Sequence, residues 1–431
     1  MRTIVHRPSL WVMFVLLAAP ASEARAQAGI DEIMRELAAL RAEVTQLRQE
    51  LDAIKTPAAP PAPEVVQSQL AELAQTKVES TSRFPVKLFG VVHAHAFANS
   101  AAPNWLDIPN LVGAPVADPG TFSMALRQTR IGFTADGPTI GGVRTSGVVA
   151  FDFFGGIPGF QTGQVMGLPR LLVAFARFEG ERAAAEVGQD HMLLAPRDPT
   201  SLSGFAFPLL FRSGNLYLRA PQARVEYALA KYLRASGGIV APIGGDLAVE
   251  DYRFVPPALG GERSKRPAGQ VRVEIGSADP EATRRAAIGM SGHLGWERRP
   301  GTLAESWASA VDFGARLDMF GVAGEVFLGD NIDAFGGALG LDARAAGGWA
   351  EIQLIPSAKV AFNVGAGMDE IRGGDRAVVV RRRNRSAYGN VIFSLTPEIQ
   401  SSLEYRWLGT VPSTAGERRN HHFDIVLTYK F

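Results

Sequence analysis

The chain of 431 residues contains no cysteine. Disulfide scaffolds, thiolate metal centres and cysteine nucleophiles are therefore excluded, and an oxidising compartment, where a stray thiol is a liability, becomes a natural home. Charge of one sign is lacking too: 44 Lys plus Arg stand against 43 Asp plus Glu. Such a balance argues neither for nor against a nucleic-acid partner, and none is expected. Past the first 20 residues, no run approaches the roughly 20 apolar residues that a spanning helix needs. There is no G-x-S-x-G elbow, no glycine-rich phosphate loop before a helix and no nucleophile–base–orienter grouping. No enzymatic activity, cofactor or metal is expected.

The N-terminus has the parts of a secretory signal. Arg2, His6 and Arg7 form a basic start, "SLWVMFVLLAAP" is a short apolar run, and Ala24 and Ala26 supply an A-x-A cleavage site before Gln27. Residues 1–26 are expected to be removed, which leaves a nearly neutral exported chain.

Residues 27–56 repeat in heptads. Ile30, Leu37, Val44 and Leu51 fill the a positions, and Ile33, Leu40, Leu47 and Ile54 fill the d positions. Every g position is acidic (Glu36, Glu43, Glu50) and the e position five residues on is basic (Arg41, Arg48, Lys55). That pairing fits a parallel coiled coil, and the mixture of β-branched residues and Leu at both seam positions favours three strands over two. Pro57, Pro60, Pro61 and Pro63 then impose an extended spacer. A short helix is expected within 64–79, so that residues 57–83 form a linker.

From residue 84 to the end the apolar period is two. Alternation picks out sixteen strands: 86–98, 122–134, 142–153, 170–179, 182–191, 216–228, 231–241, 269–276, 284–296, 306–317, 321–329, 348–355, 359–368, 385–395, 399–409 and 421–431. Their connections alternate between long, such as 99–121, 192–215 and 242–268, and short, such as "LAK", "PSA" and "TPE". Loop sorting of this kind, with an even strand count, marks an antiparallel outer-membrane β-barrel whose short turns face the periplasm. The faces agree. In "QVRVEIG" Val271, Val273 and Ile275 point to lipid while Gln270, Arg272 and Glu274 point inward. The last strand keeps Phe423, Ile425, Leu427, Tyr429 and Phe431 on the lipid side, and it must pair with the first strand to remove both open edges. Trp296, Trp307, Tyr405, Trp407, Tyr429 and Phe431 are candidates for aromatic girdles.

Taken together, the signal segment, coiled coil, proline-rich spacer, "VKLFGVVHAHAF", "LRQTRIGF", "VVAFDFFGG" and terminal Phe resemble the DcaP-like porins of Gram-negative outer membranes. The resemblance implies a trimer of sixteen-stranded barrels with the coiled coil in the periplasm, and passive uptake of small anions such as dicarboxylates. It also implies a third extracellular loop folded into the pore, here 191–215, with Arg197 and Arg212 against Asp198 around an unusually apolar "FAFPLLF". The closing Phe431 resembles the signal read by barrel-assembly machinery.

An anion pore needs basic side chains toward its lumen. Strand phase supplies Lys87, Arg130, Arg144, Arg224, Arg272 and Arg406, to which the loop adds Arg197 and Arg212. Asp152, Glu226, Glu274 and Glu404 share that phase, so a salt-bridged wall that stiffens the barrel is the competing reading. Arg381–Arg383 and Arg385 sit at the outer rim, placed to steer anions or to bind phosphates of lipopolysaccharide; continued alternation would turn Arg382 inward and Arg381 and Arg383 outward. His93 and His95 share one face without an evident third metal ligand, which makes them pore-lining or pH-sensitive groups, and His421 and His422 are expected at the rim. A structural envelope protein, with the coiled coil spacing the outer membrane from the cell wall, is the alternative function.

Overall fold

The computed structural model describes residues 41, 42, 45, 46, 85–156, 167–243, 258–277, 282–337, 343–373 and 381–431. The chain divides into two units, Met1–Arg83 and Phe84–Phe431. In the first, Arg41, Ala42, Thr45 and Gln46 are helical, and the Thr45 hydroxyl donates to the Arg41 carbonyl at 2.7 Å. The rest of the heptad segment, the signal segment and the proline-rich linker lie outside the described residues.

The second unit is a barrel. Its first wall comprises β1 (Val86–Asn99), β2 (Thr121–Ala125), β3 (Arg130–Asp136), β4 (Arg144–Asp152), β5 (Arg170–Glu179), β6 (Ala183–His191), β7 (Arg219–Ala230) and β8 (Leu233–Val240). The second comprises β9 (Ala268–Gly276), β10 (Arg284–Arg299), β11 (Thr302–Leu317), β12 (Phe320–Asp330), β13 (Arg344–Ser357), β14 (Val360–Gly373), β15 (Arg381–Ser394), β16 (Ile399–Pro412) and β17 (Arg418–Lys430). All pair antiparallel with their neighbours, and β1 pairs with β17 from Val91↔Lys430 to Asn99↔His422, which closes the sheet.

These segments make sixteen staves, because β2 and β3 both pair with β1 and are halves of one strand. The expected continuous strand 122–134 is thus interrupted at 126–129. There the Arg127 guanidinium donates to Asp107 (Nε to Oδ2, 2.6 Å) and Gln128 bonds the loop that fills the lumen, so neither can stay in the ladder. The second wall is also taller than alternation suggested. Both β10 and β11 run for 16 residues and leave a two-residue turn at 300–301. Segments such as "RAAGG" carry too little apolar signal to be seen as strand.

Outward rows are apolar, as in barrels that face lipid. Phe423, Ile425, Leu427 and Tyr429 are 56, 60, 51 and 50% exposed, while Asp424, Val426 and Thr428 between them are at most 2% exposed. The apolar core lies inside the barrel. Met192, Leu194, Ala195 and Leu216 pack on the inward Ala308, Ala310, Phe327 and Ala345, with Ile332 and Phe335 over them. Leu209 and Leu210 pack on Trp349 and Tyr388. Where this loop rests, the inner wall thus offers apolar side chains among its polar and charged ones.

Candidate functional site

The loop joining β6 to β7, residues 192–218, runs around the inner wall. Its backbone is held stave by stave. Leu193 and Leu194 N–H donate to Gln270 Oε1 (2.8 and 3.3 Å) on β9, and Ala195 N–H donates to Ser291 Oγ (3.1 Å) on β10. Arg197 Nε donates to Asp312 (2.5 Å) on β11, and Thr200 gives both N–H and hydroxyl to Glu351 (2.8 and 2.9 Å) on β13. Ser201 donates to Glu404 (2.5 Å) on β16, and the His93 ring on β1 meets the Leu202 carbonyl at 2.7 Å. Phe205 and Ala206 N–H share Gln128 Oε1 (2.8 and 3.0 Å). The chain then returns across the barrel, where Arg381 and Asn384 on β15 donate to the Arg212 carbonyl (2.9 and 2.8 Å). The Asn215 amide finally donates to the Arg197 carbonyl at 2.7 Å and ties the loop to itself.

This placement depends on one close approach. Gly214 has φ +104°, a conformation that L side chains rarely adopt, and a Cβ there would lie 2.1 Å from the Gly348 carbonyl oxygen. Nearby, a Cβ on Gly367 would lie 2.2 Å from the Ser213 carbonyl oxygen. The loop crosses the wall only because these positions carry no side chain.

A closed sixteen-stave barrel with an inner loop between its sixth and seventh segments has solved counterparts. The outer-membrane channel DcaP of Acinetobacter baumannii superposes with a TM-score of 0.64 at 14% identity, over 80% of this chain and 97% of that one. This is the fold of an outer-membrane porin. OmpF of Salmonella typhi, solved in complex with daunomycin, matches the same porin barrel with a TM-score of 0.52 at 9% identity, covering 81% and 99% of the two chains. OprB of Pseudomonas putida matches with 0.51 at 10%, covering 84% and 97%. No protein-family model and no curated protein matches the chain.

Within the porin barrel, the eight arginines and lysines expected at the lumen have different surroundings. Lys87 and Arg144 lie at the short-turn end, exposed, and pair with Asp136 (3.3 Å) and Glu179 (2.8 Å). Arg197 and Arg272 converge on Asp312, and Arg272 also reaches Glu274 at 2.6 Å. Arg224 is enclosed by Glu186 (3.1 Å), Asp190 (3.0 Å), Glu226 (3.3 Å) and the His191 carbonyl (2.9 Å). Arg406 is buried against the Ser386 hydroxyl at 2.9 Å. Arg130 donates to the Phe205 carbonyl, and the Arg212 guanidinium lies 5.7 Å from the Trp105 ring.

Three inward arginines escaped sequence reading. Arg234, Arg285 and Arg316 on β8, β10 and β11 line a cavity of about 450 Å3 on the short-turn side of the loop, together with Arg197. Arg285 and Arg316 stand directly opposite one another in the ladder. Such a like-charge pair destabilises a sheet by roughly 0.2–1 kcal/mol. Arg285 and Arg316 donate to carbonyls, Ala282 at 3.4 Å and Asp318 at 3.1 Å, whereas Arg234 stands opposite Glu274 in the ladder and attracts Glu226; Asp198, Glu274 and Glu351 line the same cavity. Their strands carry Ala235, Ala286 and Ala315 in the neighbouring outward positions, so the local contrast between faces is slight.

Two expectations about the wall are corrected. Arg381 points inward to Asp369 (Nη2 to Oδ2, 3.1 Å), while Arg382 is exposed, because a bulge between Arg381 and Arg383 reverses the phase. His422 is buried against Asn99 at 3.0 Å and not at the rim, whereas His421 stacks on Tyr405 and meets its hydroxyl at 2.8 Å. His95 meets Asp424 at 3.1 Å across the β1–β17 seam.

Proposed function

We propose that the protein is a homotrimeric porin of a Gram-negative outer membrane, through which small hydrophilic anions such as dicarboxylates diffuse passively. One observation carries the anion reading: Arg285 and Arg316 face each other in the ladder on the lumen side, and their hydrogen bonds among the described residues go to carbonyls and not to carboxylates. Arginines in a narrowed, partly desolvated passage concentrate anions and replace part of their hydration. Most of the other lumen cations named above are committed to carboxylates, carbonyls or hydroxyls, and they stiffen the wall that supports the passage. Arg285 and Arg316 are directly opposed in the ladder, a spacing that suits two carboxylates on a short chain.

The heptad segment supports a trimer held in the periplasm, and Arg383, Arg385 and Arg419 at the long-loop rim suit the phosphates of lipopolysaccharide. The terminal Phe431, whose backbone exchanges hydrogen bonds with Gly90 (2.9 and 3.0 Å), suits recognition by barrel-assembly machinery. Paired e and g charges over four heptads also support a second role, in which the coiled coil spaces or tethers the outer membrane to the cell wall.

The test is the reversal potential of the full chain in planar bilayers under a potassium chloride gradient. Anion selectivity is expected, and the double substitution Arg285→Gln, Arg316→Gln is expected to reduce it. Cation preference in the unaltered protein would overturn the reading.

A further inference from the structure

Inside a water-filled pore, most of "FAFPLLF" behaves as core. Ala206, Leu209, Leu210 and Phe211 are buried, whereas Phe205 and Phe207 are only partly buried. Leaving aromatic surface wet forfeits roughly 25 cal/mol per Å2, so rings held open to a lumen ask for an apolar occupant.

Phe207 forms part of a cleft of about 340 Å3 on the long-loop side of the loop, walled by Trp105, Phe211 and Tyr217, with Arg170, Arg212 and Arg219 along it. The rings are mutually ordered. Trp105 and Phe207 have centroids 4.7 Å apart, and Phe207 and Tyr217 meet edge-on at 5.6 Å. Arg212 is buried, its guanidinium 5.7 Å from the Trp105 ring and 5.3 Å from the Phe211 ring. Arg170 and Arg219 differ. Arg170 is neutralised by a bidentate pair with Asp152 (3.0 and 2.6 Å) and lies 4.9 Å from the Phe207 ring. Arg219 lies 5.4 Å from the Tyr217 ring, and its Nε and Nη1 are buried with no hydrogen-bond partner among the described residues.

We propose that this cleft is a subsite for aromatic carboxylates, with the ring of the ligand against Phe207 and Trp105 and its carboxylate on Arg219. The inference rests on the anion-diffusion reading and deepens it. An aliphatic dicarboxylate would gain nothing from the rings and would find one uncommitted cation where it needs two. An aromatic monocarboxylate uses both features, through ring packing and a charge-assisted hydrogen bond. Each contribution is modest, as passage requires: a solute must be held well enough to enter and weakly enough to leave.

Benzoate, cyclohexanecarboxylate, acetate and succinate are the probes, added to single channels of the full chain in planar bilayers. Benzoate is expected to interrupt the chloride current in a concentration-dependent way, at concentrations about tenfold lower than acetate or succinate, with cyclohexanecarboxylate between them. Arg219→Gln and, separately, Phe207→Leu are each expected to weaken the benzoate block several-fold. Phe207→Leu keeps an apolar side chain there and serves if Arg219→Gln fails to give a folded barrel. Equal block by benzoate and acetate, or an unaltered benzoate block in Phe207→Leu, would overturn the proposal. Failure of the broader anion reading is seen separately, as cation preference of the unaltered channel without any organic solute.

Discussion

A carboxylate inside a barrel is stable only when its lone pairs are occupied, and several here are occupied by the inner loop. Glu351 accepts from Thr200 N–H and hydroxyl, from the Tyr388 hydroxyl at 2.6 Å and from Gln353 at 2.7 Å. Replacing it, as in Glu351→Leu, takes that acceptor from Thr200 and from the buried Tyr388 hydroxyl, at about 1–3 kcal/mol for each buried group left unpaired. The expected outcome is a loop cleaved faster by added protease while the barrel retains its heat-modifiable band on gels; unchanged proteolysis would contradict the anchoring role. Glu417, in the connection 413–417, illustrates a partly buried case outside the barrel. Burial pushes its carboxyl up, but hydrogen bonds from Arg385 and Arg419 outweigh that and hold it below the usual carboxylate range. Its folded-state value is thus depressed, so its contribution is present above the unfolded value of about 4.3 and is lost as pH falls through the folded one. The melting-temperature gap between the unaltered protein and Glu417→Gln should be open at pH 6 and close as acid is added; a gap that widened in acid would reverse the assignment.

At the scale of elements, the barrel strands were legible because lipid and water impose a period of two that few other environments impose. The failures share a cause. Wherever the loop or a bulge enters the ladder, local alternation stops describing direction. "LRQTRIGF" alternates well enough to look continuous, yet Arg127 and Gln128 are withdrawn from pairing by Asp107 and by the loop. Arg381 alternates on paper and is inverted by a bulge that no composition signals. For the candidate site, phase located arginines on the lumen side but could not say which had been claimed by a carboxylate across the barrel, since Asp312 lies 115 residues from Arg197. The loop as an element hangs on its glycine crossing. Gly214→Ala would combine a left-handed backbone penalty of roughly 1–2 kcal/mol with a direct clash. Single-channel conductance should rise or become noisy as the loop leaves the wall, and a conductance equal to that of the unaltered channel would argue against the crossing as an anchor.

For the whole molecule, the question is what the N-terminal heptads add to a barrel that already closes on itself. Deleting residues 27–56 is expected to leave a folded barrel whose trimers fall apart at lower temperature on gels. Trimers of undiminished heat stability would assign the segment to tethering instead. The closed sheet also fixes an order of events. His95 and Asp424, which meet across the β1–β17 seam, are 329 residues apart in sequence, and that seam is the barrel's longest-range pairing. Bringing such distant ends together costs about 5 kcal/mol of chain entropy by the usual logarithmic law. A hairpin such as β10–β11 gains its ladder across a two-residue turn, whereas the seam gains nothing until every other stave is in place. Closure is therefore the slow and final step of assembly, and until it happens the first strand keeps an unpaired edge open to any other strand in the compartment.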